Sequence, residues 1–228
     1  MSTDLPLVVT RADPGGMATV ERARQAGLDA RHMPLFAARP LDWDAPDPAA
    51  FDALLLTSAQ AARLGGAGLS ALAGLPVHAV GEATADAARL AGLTVVAVGS
   101  KDARSLLGGM ASRPPRRLLW LCGRERTALE KAGIAITALP VYAVDAVTPP
   151  RGWDALIAAP VVVMAHSARG AGRIADLVGD RRKHLTLLAI SAPVAAAAGE
   201  GWAEKAVSEH PGDAAMLAEA HALCHKGR

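Results

Sequence analysis

The sequence LLLTSAQAA at residues 54–62 decides the fold, because a similar stretch, VMAHSARGA, follows at residues 163–171. The offset between the two is 163 − 54 = 109 residues. Two further pairs keep nearly the same spacing: VHAVGEATADAA at 77–88 with LLAISAPVAAAA at 187–198, and AGLDARHMPLF at 26–36 with AGIAITALPVY at 132–142. Three pairs in the same order indicate a duplicated domain, since each half is too long for a solenoid repeat. We expect a small ligand to bind in a cleft between the two copies.

The composition is that of a folded globular protein with two modest domains. Of 228 residues, 51% are hydrophobic and 20% are charged, which argues against disorder. The net charge, 24 − 22 = +2, is too small to indicate a nucleic-acid or membrane surface. No apolar run approaches a membrane span, and the N-terminus lacks the pattern of a secretory signal. Cys122 and Cys224 fit neither a disulfide framework nor a zinc cluster, so we expect a cytoplasmic protein.

Short apolar runs alternate with helical stretches along the chain. The predicted strands are 5–9, 53–57, 77–80, 94–98, 117–121, 160–164 and 185–190. Several are apolar on both faces, as parallel strands covered by helices on each side are. Predicted helices begin at Asp13-Pro14, Glu82, Thr127 and Asp213, and the first three end at Gly27, Gly92 and Gly133. The alternation predicts a doubly wound parallel α/β sheet in each half.

The repeats are phased so that each copy begins with a β–α unit, at 5–36 and at 118–142. Each unit leaves through a proline-containing segment, PLFAARPLDWD or PVYAVDAVTPP. If these segments connect two domains, one domain consists of residues 1–36 plus 146–228 and the other is the insert 37–145. A simple tandem arrangement is the alternative.

Small polar residues follow several predicted strands, at the carboxyl ends where doubly wound sheets bind ligands. They are Thr57, Ser58, Gly81 and Thr84 in the first half, and Ser167 and Ser191 in the second. Helix N-termini at these turns offer unpaired N–H groups to carboxylates or phosphates. The alternative is that Thr57, Ser58, Thr84 and Ser167 are only helix N-caps.

Basic residues and one phenol add to these candidates. Arg11 follows the first strand, and Arg124 and Arg126 lie at the equivalent place in the other half. Arginine there suits bidentate capture of a carboxylate, although each could equally be a solvated surface residue. Tyr142 could donate a proton to a ligand, or it could pack a hinge as the counterpart of Phe36.

Other chemistry has little support in the sequence. No phosphate-binding loop, dinucleotide-binding glycine pattern or G-x-S-x-G elbow is present. His221 and His225 stand four apart near Cys224, a spacing that could bind a metal on a helix. They lie in the last few residues, where fraying is expected, so we predict no metal site.

Taken in order, seven short motifs resemble those of the uroporphyrinogen-III synthase family, from about residue 7 to residue 220. They are VVTRADPGG, ALLLTSAQAA, HAVGEATADAARLAG, LWLCGRER, LPVYAV, HSARGA and EHPGDAAMLAEA. The resemblance implies two flavodoxin-like α/β domains joined by two extended connectors, with one domain inserted in the other. It also implies a cofactor-free, metal-free reaction in which the linear tetrapyrrole hydroxymethylbilane, with eight carboxylates, loses water and closes to uroporphyrinogen III. We expect a monomer.

The resemblance also implies residue roles. Tyr142 matches the family's candidate proton donor, Thr84 its Gly-x-x-Thr turn, and Ser58 and Ser167 its paired serine turns. The chain departs from the family at 190–194, where Ser191 stands in a turn that often contains glycine and threonine. This departure keeps open an alternative function, a two-lobed small-molecule binding or regulatory protein of the same fold without catalysis.

Overall fold

The computed structural model describes residues 4–100, 102–109 and 115–226. The chain divides into two compact units. The first unit contains the residues up to Ala37 together with those from Ala146 onward, and the second is Ala38–Asp145.

The strands are β1 (Leu7–Val9), β2 (Ala30–His32), β3 (Phe36–Pro40), β4 (Ala53–Leu56), β5 (Val77–Val80), β6 (Val95–Gly99), β7 (Arg117–Gly123), β8 (Ala135–Ala146), β9 (Val162–Ala165), β10 (Thr186–Ala189) and β11 (Glu204–Val207). The α-helices are α1 (Gly15–Gln25), α2 (Ala59–Leu64), α3 (Gly68–Ala71), α4 (Glu82–Leu90), α5 (Ala103–Gly108), α6 (Trp153–Leu156), α7 (Ala168–Val178), α8 (Ala192–Ala197) and α9 (Asp213–Cys224). Two 3₁₀ helices cover Pro48–Ala50 and Gly179–His184.

The first unit contains a five-stranded parallel sheet in the order β11-β10-β9-β1-β2. Its strands are apolar on both faces because both faces are covered. Leu7 and Val9 pack in the core under α1 and α9, whereas Val8 packs in the core under α7 and α8. The alternation follows from the two-residue period of a strand.

The second unit contains a six-stranded sheet in the order β3-β8-β7-β4-β5-β6, and β8 through β6 are parallel. Leu54 and Leu56 pack with α2, α3 and α4 on one face. Leu55 packs on the other face, in a core shared with α5 and with Trp120.

The two sheets confirm the duplicated α/β fold. In the order of the repeats, β9, β10, β11, β1 and β2 correspond to β4, β5, β6, β7 and β8, and these sets occupy the same positions in their sheets. When the five strands of the first unit are numbered in chain order, the sheet has the flavodoxin-like order 2-1-3-4-5. The fold class, α/β with two parallel-sheet domains, is as predicted.

The predicted helix from Thr127 to Gly133 is wrong. No α-helix lies between β7 and β8, where residues 126–130 have no regular secondary structure and Lys131 and Ile134 form an isolated bridge. Because β7 runs to Gly123 and β8 begins at Ala135, 135 − 123 − 1 = 11 residues join them. A crossover with a helix usually needs a dozen residues or more. Chain length therefore overrides the helix propensity of this segment, and α1 has no counterpart in the second unit.

All seven predicted strands are present. The structure also contains β2, β3, β8 and β11, which the sequence did not predict. Two of these lie in the proline-containing segments predicted as connectors. These segments are therefore partly strands of a sheet, since β3 and β8 are neighbours in the sheet of the second unit. Just beyond β3, the Leu41 N–H donates a hydrogen bond to the carbonyl oxygen of Val141 at 3.0 Å.

Gly16 at the start of α1 allows no side chain. A Cβ there would lie 2.4 Å from the carbonyl oxygen of Arg11 and 2.3 Å from His32 Nε2. We expect Gly16→Ala to lower the free energy of unfolding by about 1–3 kcal/mol, because the Arg11 backbone would have to move. Urea denaturation measures this change. Gly74→Ala is the matched control, since a Cβ at Gly74 meets nothing within 4 Å, and an equal loss in both variants would contradict the steric explanation.

Candidate active site

In the first unit, the predicted binding residues stand at the carboxyl ends of three adjacent strands. Arg11 follows β1, Ser167 follows β9 and Ser191 follows β10. Parallel strands end at the same edge of a sheet, so the three residues form a row along one edge.

The second unit carries a similar row. Thr57 and Ser58 follow β4, Gly81 follows β5 and Arg124 follows β7. Tyr142 lies on β8 opposite Gly123, the last residue of β7.

A cavity of about 390 Å³ opens at this edge of the second unit. It brings together four of the candidate residues, Thr57, Ser58, Arg126 and Tyr142, and adds Trp120. Its further lining includes Asp102, Arg104, Cys122, Glu125 and residues 127–129. Gly81, Thr84 and Arg124 do not line it.

Thr57 and Ser58 have different partners. Ser58 is the N-cap of α2, and its hydroxyl accepts a hydrogen bond from the Gln60 N–H at 3.2 Å. Thr57 instead accepts a hydrogen bond from the indole Nε1–H of Trp120 at 3.1 Å. The N-cap alternative therefore describes Ser58 but not Thr57.

Tyr142 lines the cavity while part of its ring packs against the core of the second unit. The ring fits closely over Gly123, where a Cβ would lie 3.1 Å from the phenol oxygen. Phe36, its counterpart in the repeat, packs against the core of the first unit, with the Arg169 guanidinium 4.8 Å from the ring centroid. The two aromatic residues therefore pack in different cores.

Arg124 is already paired with acidic side chains. Its guanidinium lies 2.5 Å from an oxygen of Asp145 and 2.9 Å from one of Glu125. Arg39 also binds Asp145, at 2.6 Å, and the hydrogen bonds from Arg39 and Arg124 lower the pKa of Asp145 despite some desolvation. Arg126, rather than Arg124, lies in the wall of the cavity.

Gly81 and Thr84 shape the start of α4. Gly81 has φ +81°, a conformation that favours glycine, and its N–H donates to the carbonyl oxygen of Gly99 at 2.7 Å. Thr84 is buried in the first turn of the helix, 5% exposed. Since Gly81 occupies the N-cap position, Thr84 is not a cap.

Ser167 and Ser191 occupy equivalent N-cap positions but differ in bonding. The Ser167 hydroxyl accepts a hydrogen bond from the Gly170 N–H at 3.0 Å, whereas Ser191 makes no side-chain cap bond.

We expect Ser167→Ala to lower the free energy of unfolding by about 1 kcal/mol, because the substitution leaves a helix N–H without its partner. Ser191→Ala is the matched control and should leave stability almost unchanged. Thermal and urea denaturation of both variants measure the difference. Equal losses would show that the Ser167 cap bond does not account for the effect.

A charged cluster at the edge of the first unit was missed by sequence reasoning. Asp213, the first residue of α9, accepts hydrogen bonds from Thr19 at 2.7 Å and from Arg22 Nε at 2.8 Å. Arg11 and His166 lie 3.7 and 3.8 Å from its carboxylate. Burial would raise the pKa of Asp213, but the hydrogen bonds from Thr19 and Arg22 outweigh it and lower that pKa. Arg11 is thus an ion-paired residue rather than an isolated surface cation.

His166 is the most strongly shifted group of this cluster. Its side chain is 11% exposed, and both ring nitrogens are buried without a hydrogen-bond partner. Burial, and next the charge of Arg11, lower the pKa of His166 to about 4 from 6.5, although Asp213 opposes the shift.

Acid should therefore destabilise the protein through His166. Between pH 6.5 and pH 4 the unfolded chain binds a proton at this residue and the folded chain does not, so stability falls as the pH falls. We subtract the free energy of unfolding of His166→Asn from that of the wild type. This difference should decrease by on the order of 3 kcal/mol from pH 7 to pH 4. Urea denaturation at each pH measures it. His210→Asn is the control, because that side chain is 79% exposed, and a flat difference for His166→Asn would contradict the assigned shift.

The described residues contain no group of three or more His, Cys, Asp or Glu side chains placed to bind a metal ion. The rings of His221 and His225 pack edge to face, 4.4 Å apart, and Cys224 is buried. In the part of the chain that the structure describes, the helices are too short or too polar to cross a bilayer.

The chain is thus an α/β protein with two parallel-sheet units, each carrying polar residues along the carboxyl edge, where open α/β sheets bind ligands. A family model described as uroporphyrinogen-III synthase HemD matches residues 17–218. The chain therefore belongs to the uroporphyrinogen-III synthase HemD family.

Solved structures agree with this fold. Uroporphyrinogen-III synthetase from Helicobacter pylori is similar with a TM-score of 0.67 at 17% sequence identity, over 96% of this chain and 99% of that one. A mutant uroporphyrinogen III synthase from the extremely thermophilic bacterium Thermus thermophilus gives a TM-score of 0.51 at 21% identity, over 97% and 99%. A comparison with curated protein sequences found no significant match.

Proposed function

We propose that this protein is a uroporphyrinogen-III synthase, which cyclises hydroxymethylbilane to uroporphyrinogen III with inversion of the last pyrrole ring and loss of water. Membership of the family supports the reaction class. The observation that carries the proposal is the cavity of the second unit, where Tyr142, Thr57 and Ser58 converge at the carboxyl edge of the sheet.

The chemical task is control of regiochemistry. The bilane can lose its hydroxyl group and close without help, giving the isomer in which the last ring is not inverted. An enzyme has to hold the chain so that the substituted carbon of the last ring is attacked through a spiro intermediate. Positioning and electrostatic stabilisation of an azafulvenium-like cation supply most of such an effect.

Tyr142 is the proposed proton donor to the departing hydroxyl group. Its phenol lies in the wall of the cavity, and Gly123 leaves room for the ring against the end of β7. A phenol in this position can donate its proton as the carbon–oxygen bond breaks.

The carboxylates of the substrate are proposed to bind along the polar strand ends of each unit. In the first unit the donors are Arg11, Ser167, Ser191 and the adjacent helix N-termini. In the second unit they are Thr57, Ser58, Arg124 and the turn from Gly81 to Thr84. Binding through Arg124 requires the substrate to compete with Asp145 and Glu125.

The reaction is tested by supplying hydroxymethylbilane, oxidising the products and separating isomers I and III by chromatography. We expect isomer III well above the spontaneous background. If only isomer I forms, the catalytic proposal fails, and the two-lobed binding or regulatory protein becomes the better description.

Tyr142→Phe tests the proton donor. We expect kcat for isomer III to fall about hundredfold, the lower end of general acid catalysis, because the leaving group departs readily on its own. KM should stay within about twofold, since the ring remains in place. An unchanged kcat would make Tyr142 a packing residue, and urea denaturation of the variant checks that its fold is intact.

A further inference from the structure

The cavity of the second unit lies where the two copies of the fold differ most. In the first unit, α1 connects β1 to β2 and covers the sheet. In the second unit, a segment without a helix makes the equivalent connection after Gly123, and residues 126–129 of that segment line the cavity. The cavity therefore lies beside a connection that has no helix.

Thr57 presents a hydrogen-bond donor to this cavity. An indole N–H can only donate, so Trp120 occupies an acceptor position of the Thr57 hydroxyl. The hydroxyl proton is then left to donate, and no described residue accepts it. Trp120 is 6% exposed, so its indole is held by the core. The Thr57 hydroxyl in the wall of the cavity is thus an oriented hydrogen-bond donor without an acceptor among the described residues.

Arg126 adds positive charge to the same wall. Its guanidinium donates to the carbonyl oxygen of Arg124 at 3.1 Å, and no described carboxylate pairs with it. The acidic residues of the lining already have partners. Asp102 accepts from the Ser105 N–H at 2.7 Å, and Glu125 pairs with Arg124. Arg126 and Thr57 therefore suit an incoming anion, a carboxylate in particular.

The remaining walls suit a flat apolar group. Trp120, Ala128 and Leu129 line the cavity beside the donors. Its volume of about 390 Å³ is near the lower limit for small-molecule sites, enough for one substituted ring and too small for a linked chain of four.

We propose that this cavity binds one carboxylate-bearing pyrrole ring of the substrate, an inference that depends on the proposed function. Arg126 and the Thr57 hydroxyl bind the carboxylate. Trp120 is a positioning residue, which acts by fixing the direction in which Thr57 donates.

A monopyrrole that carries one acetate and one propionate is the direct probe. The chain has four tryptophans, so ¹H–¹⁵N spectra show their indole N–H signals, and Trp120→Phe assigns that of Trp120. We expect the diacid to shift the Trp120 signal and to leave that of Trp153 unmoved. The dimethyl ester should shift it far less at equal concentration. An unmoved Trp120 signal, or equal shifts with acid and ester, overturns the proposal.

Variants separate the roles of the three residues. Arg126→Gln should weaken binding of the diacid about tenfold, as expected for loss of a charge-assisted hydrogen bond. Thr57→Val and Trp120→Phe should each weaken it. The double variant should bind no more weakly than Thr57→Val alone, because Trp120→Phe keeps an aromatic ring in the wall and removes only the hydrogen bond to Thr57. Additive losses would remove the positioning role.

Trp153→Phe is the matched control. Trp153 is also buried, 3% exposed, but its indole nitrogen has no hydrogen-bond partner and it packs in the core of the first unit. Binding of the diacid should be unchanged. Should the Trp120 variant fail to fold, the exposed Arg126 still tests the site.

The binding test is independent of turnover. If isomer III is formed but the diacid leaves Trp120 unmoved, the cavity proposal fails and the proposed function stands. If no isomer III is formed and Arg126→Gln still weakens diacid binding, the proposed function fails and the carboxylate site remains. With an active enzyme, Arg126→Gln should raise KM for hydroxymethylbilane about tenfold with kcat within about twofold, the pattern of lost uniform binding.

Discussion

Burial of parallel strands on both faces is the constraint on which the rest of the structure depends. Such strands need helices on each side, and the helices return the chain so that successive strands end at one edge. In the first unit this places Arg11, Ser167 and Ser191 in a row, and in the second it places Thr57 and Ser58 beside Tyr142. The polar groups come together because the apolar core arranges them.

Much of the fold could be predicted from the chain, for a physical reason. Fully buried strands such as Ala53–Leu56 and Val162–Ala165 are continuous apolar runs, and the repeats identify them twice. The edge strand Glu204–Val207 is half exposed and has no such pattern. The segment after Gly123 has a helical composition, but the eleven residues available set its conformation.

The candidate site was predictable only in part. Residues next to strand ends, such as Ser58 and Tyr142, follow from local pattern and topology. The hydrogen bond between Trp120 and Thr57 joins residues far apart in sequence, and so does the contact of Asp213 with Thr19. Such pairs have no local signature, because they exist only once the sheet has brought its strands together.

A duplicated fold starts with two copies of every element, and the two copies of an element need not stay alike. Here α1 lies between β1 and β2 in the first unit, whereas a segment without a helix connects Gly123 to Ala135 in the second. The second unit has a cavity beside its shorter connection, and the order of the corresponding strands is the same in both units. A difference in the length of one connection, as well as substitution, can thus give paired domains different binding surfaces.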